Sequence, residues 1–396
     1  MISDKVQKAI AGSSAIRAMF VEGQEMAKMV GAENVYDFSL GNPATAAPKA
    51  VGEAMKDIID KQDSLYVHGY MANAGYPEVR EAIARNLNQR FDTDLDGHNI
   101  LMTVGAAGGL NSIMKTLFNP GEECMVFLPY FGEYRGYAQN FEANIVEVES
   151  DKVTFQPDFT DFKNKITDKT KAVIINTPNN PTGVIYTQET MEHLAVILEQ
   201  KEQEYGHEIY LISDEPYREL VYGENQEQFI AKYYYNTIVG YSFSKSLSLP
   251  GERIGYVAVP NTVTDADTVI AGIEVSIRTL GYVNAPSLMQ LAVARCLDEK
   301  TDVAYYDRNR VALYEGLTNL GYTCVKPDGA FYLWVKSPIE NEEEFVATAK
   351  KHHILVVKGS AFGCSGFVRI AYCVAYEKIT GAMSGFESLA KEYHLI

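Results

Sequence analysis

The sequence is poor in the residues that build disulfide frameworks and metal sites. Its 396 residues include five widely spaced cysteines, an odd number with no Cys-x-x-Cys pair. This spacing argues against a disulfide framework and a zinc site, and it is typical of inert thiols in a reducing compartment. The seven histidines include no His-Glu-x-x-His motif. His352 and His353 are adjacent and would point in different directions on a helix, so no metal site is expected.

Basic residues and long apolar runs are also scarce. The chain has 35 Lys and Arg against 52 Asp and Glu, a formal net charge of −17. Because nucleic acids and anionic membranes bind to basic surfaces, this balance argues against both partners. No apolar stretch approaches the ~18 residues of a membrane span, and charged residues interrupt the N-terminal segment, so no signal peptide is expected. The sequence predicts a cytoplasmic protein.

The length and the alternation of patterns predict two domains. The chain exceeds the roughly 250–300 residues at which one hydrophobic core stops growing. In its middle, β-rich runs alternate with helical stretches, which indicates an α/β fold with a mostly parallel sheet covered by helices. Near the ends the pattern differs, with a helix over 13–30 and short strands such as 354–357. We expect a large domain over 45–285 and a smaller α+β domain formed by both termini, 1–44 and 286–396.

Polar segments follow four of the predicted strands. They are the small-residue run 105–109, the Asn- and Pro-rich segment 176–183, and the segments 213–217 and 242–245. In open α/β sheets, ligands bind outside the carboxyl ends of the strands. The four segments are therefore expected to meet in one site at the junction of the two domains.

Each segment offers a different contact. Small residues at the start of a helix leave backbone N–H groups open to a phosphate, to which Arg253 can add a charged clamp and Ser242 a hydroxyl. Asp214 at a buried strand end needs a cationic partner, and a protonated ring nitrogen would supply one. Tyr217 can hydrogen-bond a ring oxygen. Lys245 ends an apolar strand near Arg253, so its pKa should be lowered, which makes a lysine a nucleophile toward carbonyls.

Two other motifs overlap the lysine segment. Tyr241 and Lys245 match the Tyr-x-x-x-Lys pair of short-chain dehydrogenases, which works when both side chains share a helix face. Tyr241 is expected to close a strand, and neither a Gly-x-Gly-x-x-Gly fingerprint nor a P-loop is present. A dehydrogenase is therefore a distant alternative. The segment 240–244 begins like the Gly-x-Ser-x-Gly of serine hydrolases but ends in Ser, and no matching His is evident.

Several motifs also occur in a defined order along the chain. They are LGNP (40–43), YMANAGYPEVREAIA (70–84), PYF (129–131), NTPNNPTG (176–183), SDEPY (213–217), SFSK (242–245), GERIGY (251–256), GAFY (329–332) and FVRIAY (367–372). This ordered set resembles the class I/II aminotransferases, which are pyridoxal-phosphate enzymes of fold type I in the aspartate aminotransferase superfamily. The resemblance extends from about residue 13 to the C-terminus.

The resemblance implies roles for the residues around the cofactor ring. Lys245 would bind pyridoxal 5'-phosphate as an internal aldimine and move the proton between the substrate and the cofactor. Asp214 would keep the ring nitrogen protonated. Tyr217 and Asn180 would hydrogen-bond the ring oxygen O3′, and Phe131 would stack on the ring.

The resemblance also implies how the phosphate is bound. The backbone of Ala106 and Ala107 would contact it, together with Ser242 and Arg253. Tyr70 would reach the phosphate of the neighbouring subunit. A homodimer with shared active sites is therefore expected.

For the substrate, the resemblance implies that Arg369 binds the α-carboxylate, aided by Asn180 and the Gly41 backbone. The substrates would be an L-amino acid and a 2-oxo acid, which exchange the amino group by a ping-pong route. The loop at 105–109 has no cation for a second carboxylate. Arg135 or Arg278 could supply one.

Two other activities occur on the same fold. A C–S β-lyase uses the same cofactor, because the bond broken depends on how the substrate is oriented. A regulator with this fold would carry an extra N-terminal DNA-binding domain. Because the resemblance begins near residue 13, such a regulator is not expected.

Overall fold

The computed structural model describes residues 2–3, 6–7, 10 and 15–396. The helices are α1 (Ala15–Val30), α2 (Lys49–Lys61), α3 (Ser64–His68), α4 (Pro77–Phe91), α5 (Gly105–Leu117), α6 (Glu133–Asn140), α7 (Phe159–Lys165), α8 (Gln188–Tyr205), α9 (Phe243–Ser246), α10 (Ala266–Thr279), α11 (Ser287–Ala294), α12 (Val303–Asn319), α13 (Glu342–Lys351) and α14 (Tyr376–Glu392). Helix α1 lies within the predicted helix 13–30, of which residues 13 and 14 lie outside the described residues.

Two groups of strands form the sheets. The strands of the central sheet are β2 (Ile100–Thr103), β3 (Glu123–Phe127), β4 (Asn144–Val148), β5 (Thr170–Asn176), β6 (Tyr210–Asp214), β7 (Thr237–Ser242) and β8 (Gly255–Ala258). The strands of the smaller sheets are β1 (Tyr36–Asp37), β9 (Cys324–Val325), β10 (Tyr332–Lys336), β11 (Ile354–Leu355), β12 (Val357–Lys358) and β13 (Phe367–Ala371).

The central sheet has the order β2-β8-β7-β6-β5-β3-β4. Strands β4, β3, β5, β6 and β7 are parallel to their neighbours in this group, whereas β8 runs antiparallel to both β7 and β2. All residues of β6 and β7 are buried. Burial of both faces explains why these strands appear in the sequence as apolar runs. The predicted mostly parallel sheet is confirmed.

Helices cover both faces of this sheet. Alternate residues of a strand point to opposite faces. Ile212 packs in one cluster with Leu110 of α5 and Ile273 of α10. Its neighbour Leu211 packs in another cluster with Leu194 of α8. The predicted layered α/β architecture is therefore confirmed.

Segments from both ends of the described chain meet in the smaller sheets. Strand β1 pairs in parallel with β11, and β12, β13, β10 and β9 form an antiparallel sheet. The prediction of one strand over 354–357 is wrong, because the chain changes sheets between β11 and β12. Phe38, Leu333 and Phe386 share the core between these elements.

The predicted domain boundaries stay predictions. Helix α11 bears on the second one, because Met289 and Leu291 pack in the same cluster as Ile58 of α2 and Ile83 of α4. These contacts join α11 to the helices beside the central sheet. We infer that the second boundary lies after α11 rather than before it.

Some features can be stated only for the described part of the chain. There, no helix is both long and apolar enough to cross a membrane. Within the same residues, no group of three or more His, Cys, Asp or Glu side chains is arranged to hold a metal ion. The five cysteines are free thiols, and four of them are buried.

Candidate active site

A cleft of about 280 Å³ lies where the central strands end and the smaller sheets begin. The predicted site residues that line it are Gly41, Ala106, Ala107, Phe131, Asn180, Asp214, Tyr217, Ser242, Lys245, Arg253 and Arg369. Asp214 and Ser242 are the last residues of β6 and β7, whose carboxyl ends meet at the same sheet edge. Tyr70 does not line the cleft, and it is 95% exposed.

Lys245 lies in the short helix α9, directly after β7. The Ser242 hydroxyl begins this turn by accepting a hydrogen bond from the Ser244 N–H (3.2 Å). Lys245 Nζ donates to the Gly41 carbonyl oxygen (2.6 Å). Removal from water lowers the pKa of Lys245 to about 8, and the nearby Arg369 and Arg253 act in the same direction. The amine therefore loses its proton far more readily than an ordinary lysine.

Asp214 is a buried carboxylate with one occupied and one free oxygen. Burial raises its pKa to about 7. The hydroxyl of the buried Tyr134 donates to Oδ2 (2.6 Å) and opposes this rise. Oδ1 is also buried, but it has no hydrogen-bond partner among the described residues. A proton donor in the cleft would satisfy it.

The first turn of α5 and Arg253 form a cationic end of the cleft. The N–H groups of a helix's first turn have no partner within the helix, and they carry a partial positive charge. The Arg253 guanidinium lies across this turn, where Nη2 is 3.4 Å from the Val104 carbonyl oxygen. A Cβ at Gly105 would approach Nη2 to 2.8 Å, and its φ is +75°, so glycine is required at this close approach. This end of the cleft suits an anion.

Arg369 is a buried guanidinium, 1% exposed. Its Nη1 donates to Asn180 Oδ1 (2.9 Å), and its Cζ lies 4.5 Å from the centre of the Tyr332 ring. None of the ion pairs in the described part of the chain includes Arg369, and Nε finds no partner there. Burial lowers the pKa of Arg369. Such a cation is ready to receive a carboxylate.

Sequence reasoning missed three tyrosines of this site: Tyr137, which lines the cleft, and also Tyr134 and Tyr332. Tyr134 holds Asp214, and Tyr332 shares a hydrogen bond with Tyr217 between their hydroxyls (2.8 Å). The position of Tyr332 also explains why residue 41 is a glycine, because a Cβ on Gly41 would lie 2.0 Å from the Tyr332 hydroxyl. The sequence could have indicated Tyr134 and Tyr332, because Tyr332 ends the GAFY motif and Tyr134 follows Phe131 by three residues.

Several other candidates lie outside the cleft. Arg135 pairs with Glu147, and Arg278 is exposed; neither lines the cleft. Tyr241 does not line it either, because its hydroxyl bonds Glu219 (3.0 Å) and Ser246 (2.8 Å). The Tyr241 and Lys245 side chains therefore do not form the pair that a short-chain dehydrogenase needs.

Known proteins resemble this chain over nearly its whole length. Residues 33–385 match the family described as aminotransferase class I and II. Aromatic-amino-acid aminotransferase 2 of Thermococcus litoralis is 30% identical, with 100% of both chains covered, and an aspartate aminotransferase of Pyrococcus horikoshii is 29% identical over 94% of each. The crystal structure of an amino transferase from Eubacterium rectale superposes with a TM-score of 0.96, at 44% identity over 99% of both chains. The chain thus belongs to the class I and II aminotransferases, the pyridoxal-phosphate-dependent enzymes that its ordered motifs predict.

Proposed function

We propose that this protein moves the α-amino group of an L-amino acid to a 2-oxo acid by a ping-pong route, with pyridoxal phosphate bound in the cleft. The observation that carries the proposal is the meeting of Lys245, Asp214, Arg253 and Arg369 in one cleft. When bound, pyridoxal phosphate supplies a ring that withdraws electrons from the substrate Cα. Positioning, charge balance and proton movement then fall to the side chains of the protein.

The side chains at the centre of the cleft fit the cofactor ring. The unpartnered Asp214 Oδ1 would accept a hydrogen bond from a protonated ring nitrogen. Phe131 lines the cleft and offers an aromatic face for stacking. Tyr217 and Asn180 also line the cleft, with a hydroxyl and an amide for the ring oxygen O3′.

The cationic end of the cleft fits the phosphate. Ala106 and Ala107 lie in the first turn of α5, so their N–H groups are free to donate. Ser242 and Arg253 add a hydroxyl and a guanidinium at the same end. The high exposure of Tyr70 is consistent with a contact to a second subunit. A homodimer in which Tyr70 reaches the neighbouring phosphate is therefore part of the proposal.

Lys245 would serve both as the attachment point and as the proton carrier. With a pKa of about 8, a useful fraction of its amine is uncharged near neutral pH and can attack a carbonyl carbon. Its hydrogen bond to the Gly41 carbonyl oxygen sets the direction of Nζ. With a substrate in the cleft, Nζ would be the group placed to take a proton from the substrate Cα and to return it.

Arg369 would orient the substrate. Its planar guanidinium can donate two parallel hydrogen bonds to an α-carboxylate, and Asn180 holds it in place. The Gly41 backbone lies next to Tyr332 at the same side of the cleft. Fixing the carboxylate would set how the substrate Cα is oriented in the cleft, and so would select the reaction.

One experiment tests the activity. The protein reconstituted with pyridoxal phosphate is incubated with a panel of amino acids and 2-oxoglutarate, and the products are analysed. Formation of a new amino acid supports the proposal, whereas pyruvate and ammonia without one would identify a C–S β-lyase. In Lys245→Ala, the absorption band of covalently bound cofactor should be lost; an unchanged spectrum would refute the role of Lys245. The cytoplasmic location stays a prediction.

A further inference from the structure

Tyr134 belongs to none of the motifs, and yet its side chain contacts Asp214. We propose that Tyr134 is a positioning residue that holds Asp214, through its bond to Oδ2, in the orientation and charge state that the ring nitrogen of pyridoxal phosphate requires. This inference rests on the proposed function. It concerns how this chain prepares its acid before any substrate arrives.

The first argument is that the hydroxyl of Tyr134 has little freedom to point elsewhere. The side chain is 1% exposed, and its ring lies between other aromatic rings. The Phe131 ring meets it edge to face at 5.6 Å, and the Tyr130 ring lies parallel to it at 6.3 Å. The only hydrogen bond that this hydroxyl makes among the described residues is the one it donates to Asp214 Oδ2 at 2.6 Å.

The second argument is that the two carboxylate oxygens of Asp214 differ in their hydrogen bonding. Tyr134 occupies Oδ2, while Oδ1 has no partner in the described chain. Asn176 holds only the backbone, because its Nδ2 donates to the Asp214 carbonyl oxygen (2.8 Å). Tyr134 is thus the group that sets the rotation of the carboxylate about its side-chain bond. A fixed Oδ2 leaves Oδ1 for the ring nitrogen.

The third argument concerns charge. Burial and the neighbouring Glu215 both raise the pKa of Asp214, and the bond from Tyr134 lowers it. Among the described residues, the phenols of Tyr137 and Tyr217 also interact with the charge of Asp214, and burial raises the pKa of both. Burial likewise raises the pKa of Tyr134 well above 10, so this phenol remains a donor. Without it, Asp214 would take up a proton more readily and lose the charge that a protonated ring needs.

Tyr134 also links the acid to the stacking ring. Tyr134 lies in the first turn of α6, and Phe131 lies just before this helix. Because the two rings touch, a shift of Tyr134 would move both the partner of the ring nitrogen and the proposed stacking face. We therefore expect Tyr134 to affect cofactor affinity as well as the charge of Asp214.

The test compares Tyr134→Phe with Tyr130→Phe in the full chain. Tyr130 is the matched control, because its buried phenol donates to Glu147 (2.7 Å) rather than to Asp214. In protein with ¹³C-labelled aspartate and no cofactor, the titration midpoint of Asp214 should rise by about one to two pH units in Tyr134→Phe, as for the loss of one hydrogen bond to a charged group. It should not move in Tyr130→Phe. An unchanged midpoint in Tyr134→Phe would overturn the inference.

A double-mutant cycle separates this inference from the proposed function. In the reconstituted protein, Asp214→Asn should weaken pyridoxal phosphate binding, and adding Tyr134→Phe to it should cause little further loss. If Asp214→Asn leaves the affinity unchanged, the role of Asp214 in the proposed function fails. If Asp214→Asn weakens binding and Tyr134→Phe alone does not, only the role of Tyr134 fails.

A second variant covers the case in which Tyr134→Phe does not fold. Placing 3-fluorotyrosine at position 134 alone makes the phenol a stronger donor with almost the same shape. The midpoint of Asp214 should then fall, and the absorption of the bound cofactor should keep its protonated-ring form to higher pH. A midpoint that rises or stays constant would contradict the inference.

Discussion

Replacing Arg369 by lysine is the sharpest perturbation of the proposed substrate site. The guanidinium of Arg369 donates to Asn180 Oδ1 and lies 4.5 Å from the centre of the Tyr332 ring. An ammonium keeps the charge, but it has no planar fork and cannot stack in this way. Arg369→Lys should therefore weaken the productive binding of the α-carboxylate while leaving the charge of the cleft unchanged.

The expected size follows from these contacts. Losing one charge-assisted hydrogen bond costs ~1.5–3 kcal/mol and losing the contact with the ring ~0.5–1 kcal/mol, together about 2–4 kcal/mol of transition-state stabilisation. This corresponds to a decrease of roughly 30- to 900-fold in kcat/KM. The affinity for pyridoxal phosphate should stay constant, because the proposed phosphate contacts lie at the other end of the cleft, beside Arg253.

The assay measures kcat/KM for an amino acid and for an amine that lacks the carboxylate. Arg310→Lys is the matched control, because Arg310 pairs with Asp307 (2.7 Å) and lies 5.1 Å from the centre of the Tyr222 ring, outside the cleft. Arg369→Lys should affect the amino acid and spare the amine, and Arg310→Lys should spare both. Equal losses for the amino acid and the amine in Arg369→Lys would refute the reasoning.

Three further predictions concern the other parts of the cleft. Because the pKa of Lys245 is lowered to about 8, the rate at which cofactor-free protein binds pyridoxal phosphate should rise with pH through about 8 and then level off. Stopped-flow absorption measures this rate, and a flat pH profile would contradict the prediction. Gly41→Ala should destabilise the fold by about 1–3 kcal/mol, because its Cβ would lie 2.0 Å from the Tyr332 hydroxyl. In the control Gly52→Ala, the new Cβ meets no atom within 4 Å, so the melting temperature should not fall. Arg253→Gln should weaken pyridoxal phosphate in equilibrium dialysis but leave binding of pyridoxal, which lacks the phosphate, unchanged; equal losses for both would argue against the assigned contact.

The order of motifs and the alternation of apolar and polar segments were sufficient to predict the fold class and to select the residues of the cleft. The reason is that each of these signals is contained in a short segment of the sequence. A strand buried on both faces has to be apolar along its length, and the carboxyl ends of parallel strands share one edge. Asp214 and Lys245 could therefore be placed at the same edge of the sheet without knowledge of the strand order. Their roles remain proposals, because chemistry needs distances as well as proximity.

Other features depended on packing between distant parts of the chain. The position of β8 between β7 and β2, and its antiparallel direction, have no signal in the apolar pattern of these strands. The division of 354–357 into two strands depends on which partner each half meets, β1 or β13. Such pairings are chosen by the whole core and not by the residues of one strand.

The sequence by itself determined the fold class, the family and most of the residues that line the cleft. Only the tertiary structure decided which side chains touch. The bond between Tyr134 and Asp214 spans 80 positions, and the bond between Lys245 and the Gly41 carbonyl oxygen spans 204. Contacts of this kind depend on how helices and sheets pack together, which a local pattern does not encode. The raised pKa of Asp214 follows from the same contacts and burial and became visible only in the folded chain, whereas the lowered pKa of Lys245 was already expected from the sequence.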